Sequence, residues 1–239
     1  MNPRKNTARL AGLFWLLAGF VNGFGLVYVQ SKLIVPGDAA ATEANIAASE
    51  SLFRAAIVSN LFSQIFLFLF GLILFPLLKE VNKALATMFL ASILMTVAIA
   101  VVNQLNNLGA LLVLSQADYL KQFTPEQLHA MAMIFLRLSN SGQALLEIFW
   151  TPYLVSFGLL IFRSRFLPRL LGILLMVMGA GFWINCFTKF LIPQFHPGMF
   201  TQLAMALGAL GAIPTKFWLL IKGVSEQRPL PEDHSGATA

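Results

Sequence analysis

The chain has 239 residues, of which 58% are hydrophobic and only 11% charged, whereas a soluble domain carries about a quarter charged residues. That balance excludes a protein whose main solvent is water. The 16 bases and 10 acids leave a net charge of +6, but the bases stand at the ends of apolar runs rather than in one patch, which excludes a nucleic-acid binder.

Six apolar runs follow in chain order, from Leu10 to Val29, Phe53 to Leu78, Ala84 to Leu114, Leu128 to Phe162, Phe166 to Ile192 and Gly198 to Ile221. Each is long enough for the roughly 20 helical residues that a hydrocarbon core requires. None alternates with the two-residue period of a membrane strand, and unpaired backbone groups are intolerable in lipid, so the runs predict helices. The first run is too long for a signal peptide, and its candidate cleavage site at Ala39 to Ala41 lies well beyond it, so it reads as a retained span. Asp38, after Pro36 and Gly37, is a candidate N-cap for a helix continuing through the alanine-rich stretch into the second span. Thr124, Pro125, Glu126 and Gln127 form a capping-box pattern with proline at the first helical position. Pro152 and Pro214 each remove a backbone donor and free a carbonyl one turn earlier, near Ile148 and Leu210, which predicts kinks. The segment from 225 to 239 is polar and reads as a disordered cytoplasmic tail after a single transmembrane domain over 1–224.

With the N-terminus placed in the cytoplasm, Arg4, Lys5, Arg9, Lys79, Lys83, Arg163, Arg165, Arg169, Lys222 and Arg228 all fall on that side. The opposite loops then hold only Lys32 and Lys121. This asymmetry follows the positive-inside rule and predicts six spans with both termini cytoplasmic, an all-α bundle.

Polar side chains are costly in hydrocarbon and turn toward a bundle interior or a wet cavity, so their spacing marks the inward face. Asn60, Ser63 and Gln64 recur at helical spacing in the second span, and Asn103, Asn106 and Asn107 do so in the third. Arg137, Asn140, Gln143 and Glu147 form the stripe of the fourth span, and Asn185, Thr188 and Lys189 that of the fifth. At 1.5 Å per residue, most of these groups, together with Asn22 and Gln202, fall in the outer half of the bilayer. The inner halves, as in Ile65 to Phe75 and Leu170 to Met178, are almost wholly apolar. The pattern predicts a polar pocket open to the outer side above an apolar floor, its ligand-binding residues being Asn60, Gln64, Asn103, Asn107, Arg137, Asn140, Gln143, Asn185 and Lys189. The opposing expectation is that the amides bond one another as interhelical glue. Glu147 and Lys216 lie at similar depth and are expected to form an intramembrane ion pair or gate between the fourth and sixth spans. Lys216 reaching the headgroups and Glu147 acting in proton coupling remain open beside it.

Several chemistries find no support. His129 and His196 have no metal-ligand spacing to Glu126 or Asp118, no phosphate loop or nucleophile elbow occurs, and Cys186 is the only cysteine, so no metal, cofactor or disulfide is expected. Glycines and alanines such as Gly179, Ala180 and Gly181 read as close helix contacts.

The segment SKLIVPGDAAATEANIAASESLFRAAIVS (31–59) resembles the bacterial membrane-protein family named domain of unknown function 4386. The similarity continues through NQLNNLGALLVLSQADYL (103–120) and FRSRFLPRLLGILL (162–175). The resemblance implies a six-helix protein of the bacterial inner membrane; it brings no catalytic residues, because the family has no assigned activity.

The function expected from these readings is non-enzymatic: a multi-pass protein in contact with the lipid bilayer that binds, and in one version transports, a small anionic or amphipathic molecule or lipid in the outer pocket. Two alternatives stand beside it, an accessory or scaffold protein with a dry polar core and an intramembrane lipid-modifying enzyme using Glu147. The lack of a second central carboxylate or nucleophile argues against the enzyme.

Overall fold

A computed structural model of the chain describes residues 3–35, 38–115, 117–164, 167–192 and 198–224. Among these, no strand occurs, and seven helices are joined by short connections: α1 (Pro3–Leu33), α2 (Ala39–Ala48), α3 (Glu50–Val81), α4 (Lys83–Leu114), α5 (Pro125–Ser164), α6 (Arg169–Leu191) and α7 (Gly198–Ile221), with a 3-10 turn at Asp118–Leu120 before α5. Helices α1, α3, α4, α5 and α6 are long and apolar enough to cross a membrane, and Gly208–Ile221 within α7 is a shorter apolar stretch. The tail expected at 225–239, His196 and the side chain of Gln202 lie outside the described residues.

Local chemistry sets the helix ends. A single residue, Asn82, turns α3 into α4: its backbone is extended (φ −159°) and its side chain accepts from the Leu85 amide at 2.9 Å, as an N-cap must. The capping box at the start of α5 is formed, with Thr124 N–H donating to Gln127 Oε1 at 2.9 Å and Gln127 N–H to Thr124 Oγ1 at 3.3 Å. Asp38 also caps as expected, accepting from the Ala41 amide at 2.9 Å. The helix that it starts does not run on into the second span. Ser49 leaves helical geometry (φ −135°, ψ 44°), so α2 is a separate short helix. It folds back on α1, where Val35 N–H donates to Thr42 Oγ1 at 2.9 Å and Asn45 Nδ2 to Leu33 O at 3.4 Å. His129 Nε2 on α5 meets Glu43 Oε1 at 3.0 Å and ties its other side.

The long helices form a ring in which each packs on its neighbour in sequence and α7 returns to α1. Close approaches are made at glycines. A Cβ on Gly158 would lie 2.5 Å from the carbonyl oxygen of Gly172, and one on Gly172 would lie 2.6 Å from that of Gly158, so α5 and α6 touch backbone to backbone. Thr151 Oγ1 adds a hydrogen bond to Gly179 O at 2.7 Å. The α1–α7 seam is closed at Gly12, where a Cβ would sit 2.6 Å from Leu220 N. There Arg9 also donates through Nε and Nη2 to Ile221 O at 3.1 and 2.8 Å, occupying one of the carbonyls that a helix C-terminus leaves without a partner. Arg4 pairs with Glu80 beside it.

The half of the ring carrying the N-terminus is filled by aromatic rings. Trp15 stacks on Phe70 with centroids 4.9 Å apart, and Phe157 meets Trp15, Phe70 and Phe89 at 5.6, 5.9 and 5.2 Å. All four side chains are buried. Such contacts add about 0.5–1.5 kcal/mol per pair beyond area burial, and they make this depth of the bundle an apolar, tightly packed layer.

Candidate functional site

Beyond the aromatic plug, the turn of α1 widens to π geometry over Phe24–Val29, and such turns recur at functional sites. Gly25 within it lets α1 pass close to α3, since a Cβ there would lie 3.0 Å from Ala56 O and 3.2 Å from Asn60 Nδ2. Ser59 and Ser63 of α3 donate to the α1 carbonyls of Val21 and Ala18 at 2.5 and 3.0 Å and fix the pair.

A cavity of about 670 Å³ opens between the ends of α1 and α3 on one side and α5 on the other, with α4 and α6 contributing its edges. One wall is apolar, built from Leu26, Val29, Leu33, Phe53 and Ile57. The facing wall is polar and belongs mainly to α5. α2 lies at the mouth, where Thr42 joins the lining. At the inner end, Trp150 and Phe182 meet with centroids 5.0 Å apart and an interplanar angle of 68°, and both pack on the apolar core.

Of the residues expected to bind ligand, Asn60, Asn107, Arg137, Asn140, Gln143 and Lys189 line this cavity, as does Glu147. Arg137, Asn140 and Lys189 are exposed to it or its mouth. Lys189 Nζ donates to Asn140 Oδ1 at 2.8 Å and to Asn140 O at 3.2 Å, joining α6 to α5 at the rim. Asn107 Nδ2 donates to Gln104 Oε1 at 2.9 Å on its own helix.

Three expected residues stand elsewhere. Asn103 is buried in the α4–α5 contact, where its Nδ2 donates to Ser139 O at 2.9 Å, its Oδ1 accepts from Asn106 Nδ2 at 3.0 Å, and the bare backbone of Gly142 abuts its amide. This amide is glue. Asn185 Nδ2 donates to both carboxylate oxygens of Glu147, at 2.9 and 2.8 Å, and acts on the cavity through that residue. Gln64 is off the lining, and its buried Oε1 has no hydrogen-bond partner.

The ion pair expected between Glu147 and Lys216 is not formed. Equal depth does not make two helices neighbours: α7 lies between α6 and α1 in the ring, away from α5. Lys216 turns to α1, where its Nζ sits 5.1 Å from the Trp15 ring centroid in space left by Gly19, whose missing Cβ would lie 2.6 Å from Nζ. An ammonium over an indole face is a favourable cation–π contact.

Sequence reasoning missed Gln30, Thr42, Trp150 and Phe182 among the lining residues. Trp150 carried a usable signal, since Gln143, Glu147 and Trp150 follow the i, i+4, i+7 spacing of one helix face. The π turn carried none. No group of three or more histidine, cysteine, aspartate or glutamate side chains is placed to hold a metal among the described residues.

Residues 10–223 match the model of a family described as "Domain of unknown function (DUF4386)". No curated protein and no solved structure matches the chain.

Proposed function

The chain belongs to the DUF4386 family, whose description carries no activity, and we propose from the chain's own geometry that it is a six-span protein of the bacterial inner membrane, with both termini cytoplasmic, that binds a small anionic or amphipathic ligand from the outer side. The single observation that carries this reading is the cavity itself: about 670 Å³, with an apolar wall on α1 and α3 and a polar wall on α5 that includes Arg137 and, from α6, Lys189. A volume in the range of small-molecule sites, apolar with a few placed polar groups, is the ordinary form of such a site. Orientation rests on the basic residues Arg4, Arg9, Lys79, Lys83, Arg163 and Arg169 at the end opposite the cavity. The sixth span would be α7, which completes the ring.

A second reading, an accessory protein with a dry polar core, is favoured by Asn103, whose amide is engaged by Ser139 and Asn106. The two part at Asn60, Asn107 and Asn140. In a Cys186→Ser background, single cysteines at these positions are expected to react with a small membrane-impermeant thiol reagent added from outside, while a cysteine at Phe70 stays protected. Protection at all three cavity positions would overturn the binding reading and leave the scaffold.

A further inference from the structure

One acidic side chain faces the cavity without a direct salt bridge among the described residues. Glu147 is half-buried midway along α5 and faces the cavity, and none of the ion pairs among the described residues includes it. Of the cations nearest in the fold, Lys189 acts on Glu147 through space but makes its hydrogen bonds to Asn140, Lys216 lies on Trp15, and Arg137 stands ten residues, about 15 Å, along the same helix. The two hydrogen bonds from Asn185 orient the carboxylate without neutralising it, and a carboxylate withdrawn from water is costly without a countercharge. Trp150 lies one turn further along the same face, with the Phe182 ring against it. A carboxylate beside aromatic rings is the chemistry that takes up an ammonium group.

From mouth to floor, the polar wall therefore runs from cations (Arg137, Lys189) through amides (Asn140, Gln143) to a carboxylate outside any direct salt bridge, with two aromatic rings. Asn140 and Glu147 are two helical turns apart, about 10 Å, which is head-group scale. We infer that the ligand is a zwitterion, its ammonium seated at Glu147, Trp150 and Phe182 and its anionic group at Lys189 and Arg137. This rests on the reading of the cavity as a ligand site and narrows it. A lipid head group and a free small zwitterion share this chemistry.

The test uses the purified full chain in detergent, titrated with lysophosphatidylcholine and with lysophosphatidic acid of the same acyl chain, and read by native mass spectrometry. The first probe carries a choline ester on its phosphate, whereas the second has a free phosphate monoester and no ammonium group. The wild-type protein is expected to hold the zwitterionic probe about tenfold or more tighter, and Glu147→Gln, which keeps the side chain's size, is expected to bring the two within about twofold. Free phosphocholine that displaces the zwitterionic probe supports a soluble zwitterion as the ligand; failure to displace it supports a lipid-borne head group. Equal binding of both probes by the wild type, or a preference that survives Glu147→Gln, overturns the inference and leaves the anionic reading of the cavity standing. Binding of neither probe overturns both.

Discussion

The indole nitrogen of Trp183 donates to the carbonyl oxygen of Ile148 at 3.1 Å, and that oxygen is the one that Pro152, four residues on within α5, leaves without its helical donor. α6 thus supplies from outside the hydrogen bond that α5 cannot make for itself. In lipid, where water does not reach the free carbonyl, such a bond is needed to keep a proline inside a helix. Trp183→Phe is expected to destabilise the fold by about 1 kcal/mol. In a Pro152→Ala background, which restores the backbone donor, the same substitution should cost much less. Unfolding in mixed micelles measures both, and equal cost in the two backgrounds would contradict the assignment.

Asn103 and Gly142 form a second unit. The amide occupies the space where a side chain at 142 would be, and it holds Ser139 O from there. Gly142→Ala must displace Asn103, so it is expected to cost about 1–3 kcal/mol. Asn103→Ala should make the added methyl far less damaging, and strong non-additivity between the two is the signature to measure.

The glycines differ in what an added methyl would meet. At Gly158 it meets the carbonyl of Gly172, which the backbone holds in place, and at Gly19 it meets the end of the flexible Lys216 side chain. Gly158→Ala is expected to lose about 1–3 kcal/mol of stability and Gly19→Ala a small fraction of that. A reversed order in thermal or detergent unfolding would contradict the backbone contact between α5 and α6.

Lys216 and Glu147 occupy different joints of the ring, one over Trp15 and the other beside Asn185. A double-mutant cycle with Lys216→Met and Glu147→Gln should therefore give a coupling energy within about 0.5 kcal/mol of zero. A coupling of several kcal/mol would restore the direct pair.

The bounds of the long helices and their inward faces were legible because apolar run length, capping residues and 3.6-residue periodicity are local properties. Asn60, Asn107, Arg137, Asn140, Gln143 and Lys189 reach the cavity on the faces that their spacing assigned. Asn103 has the same spacing as Asn107, one turn away, yet it is buried against Ser139. The difference comes from Gly142 on another helix, which no periodicity within α4 records. Glu147 and Lys216 were matched by depth alone, and depth carries no information about which helices adjoin. The break at Ser49 follows from how α2 folds back on the end of α1 through Thr42 and Asn45, a tertiary cause that helix propensity cannot report.

The joint between α1 and α7 differs in kind from the rest of the circle. Every other joint unites helices that a connection already holds near one another, so its closure entropy is small. Here the partners are some two hundred residues apart along the chain, and contacts formed only after folding, the approach of Gly12 to Leu220, Lys216 over Trp15 and Arg9 on the Ile221 carbonyl, keep them together. During synthesis the barrel of helices stands incomplete until α7 arrives, with Trp15 and Gly12 waiting on an open flank.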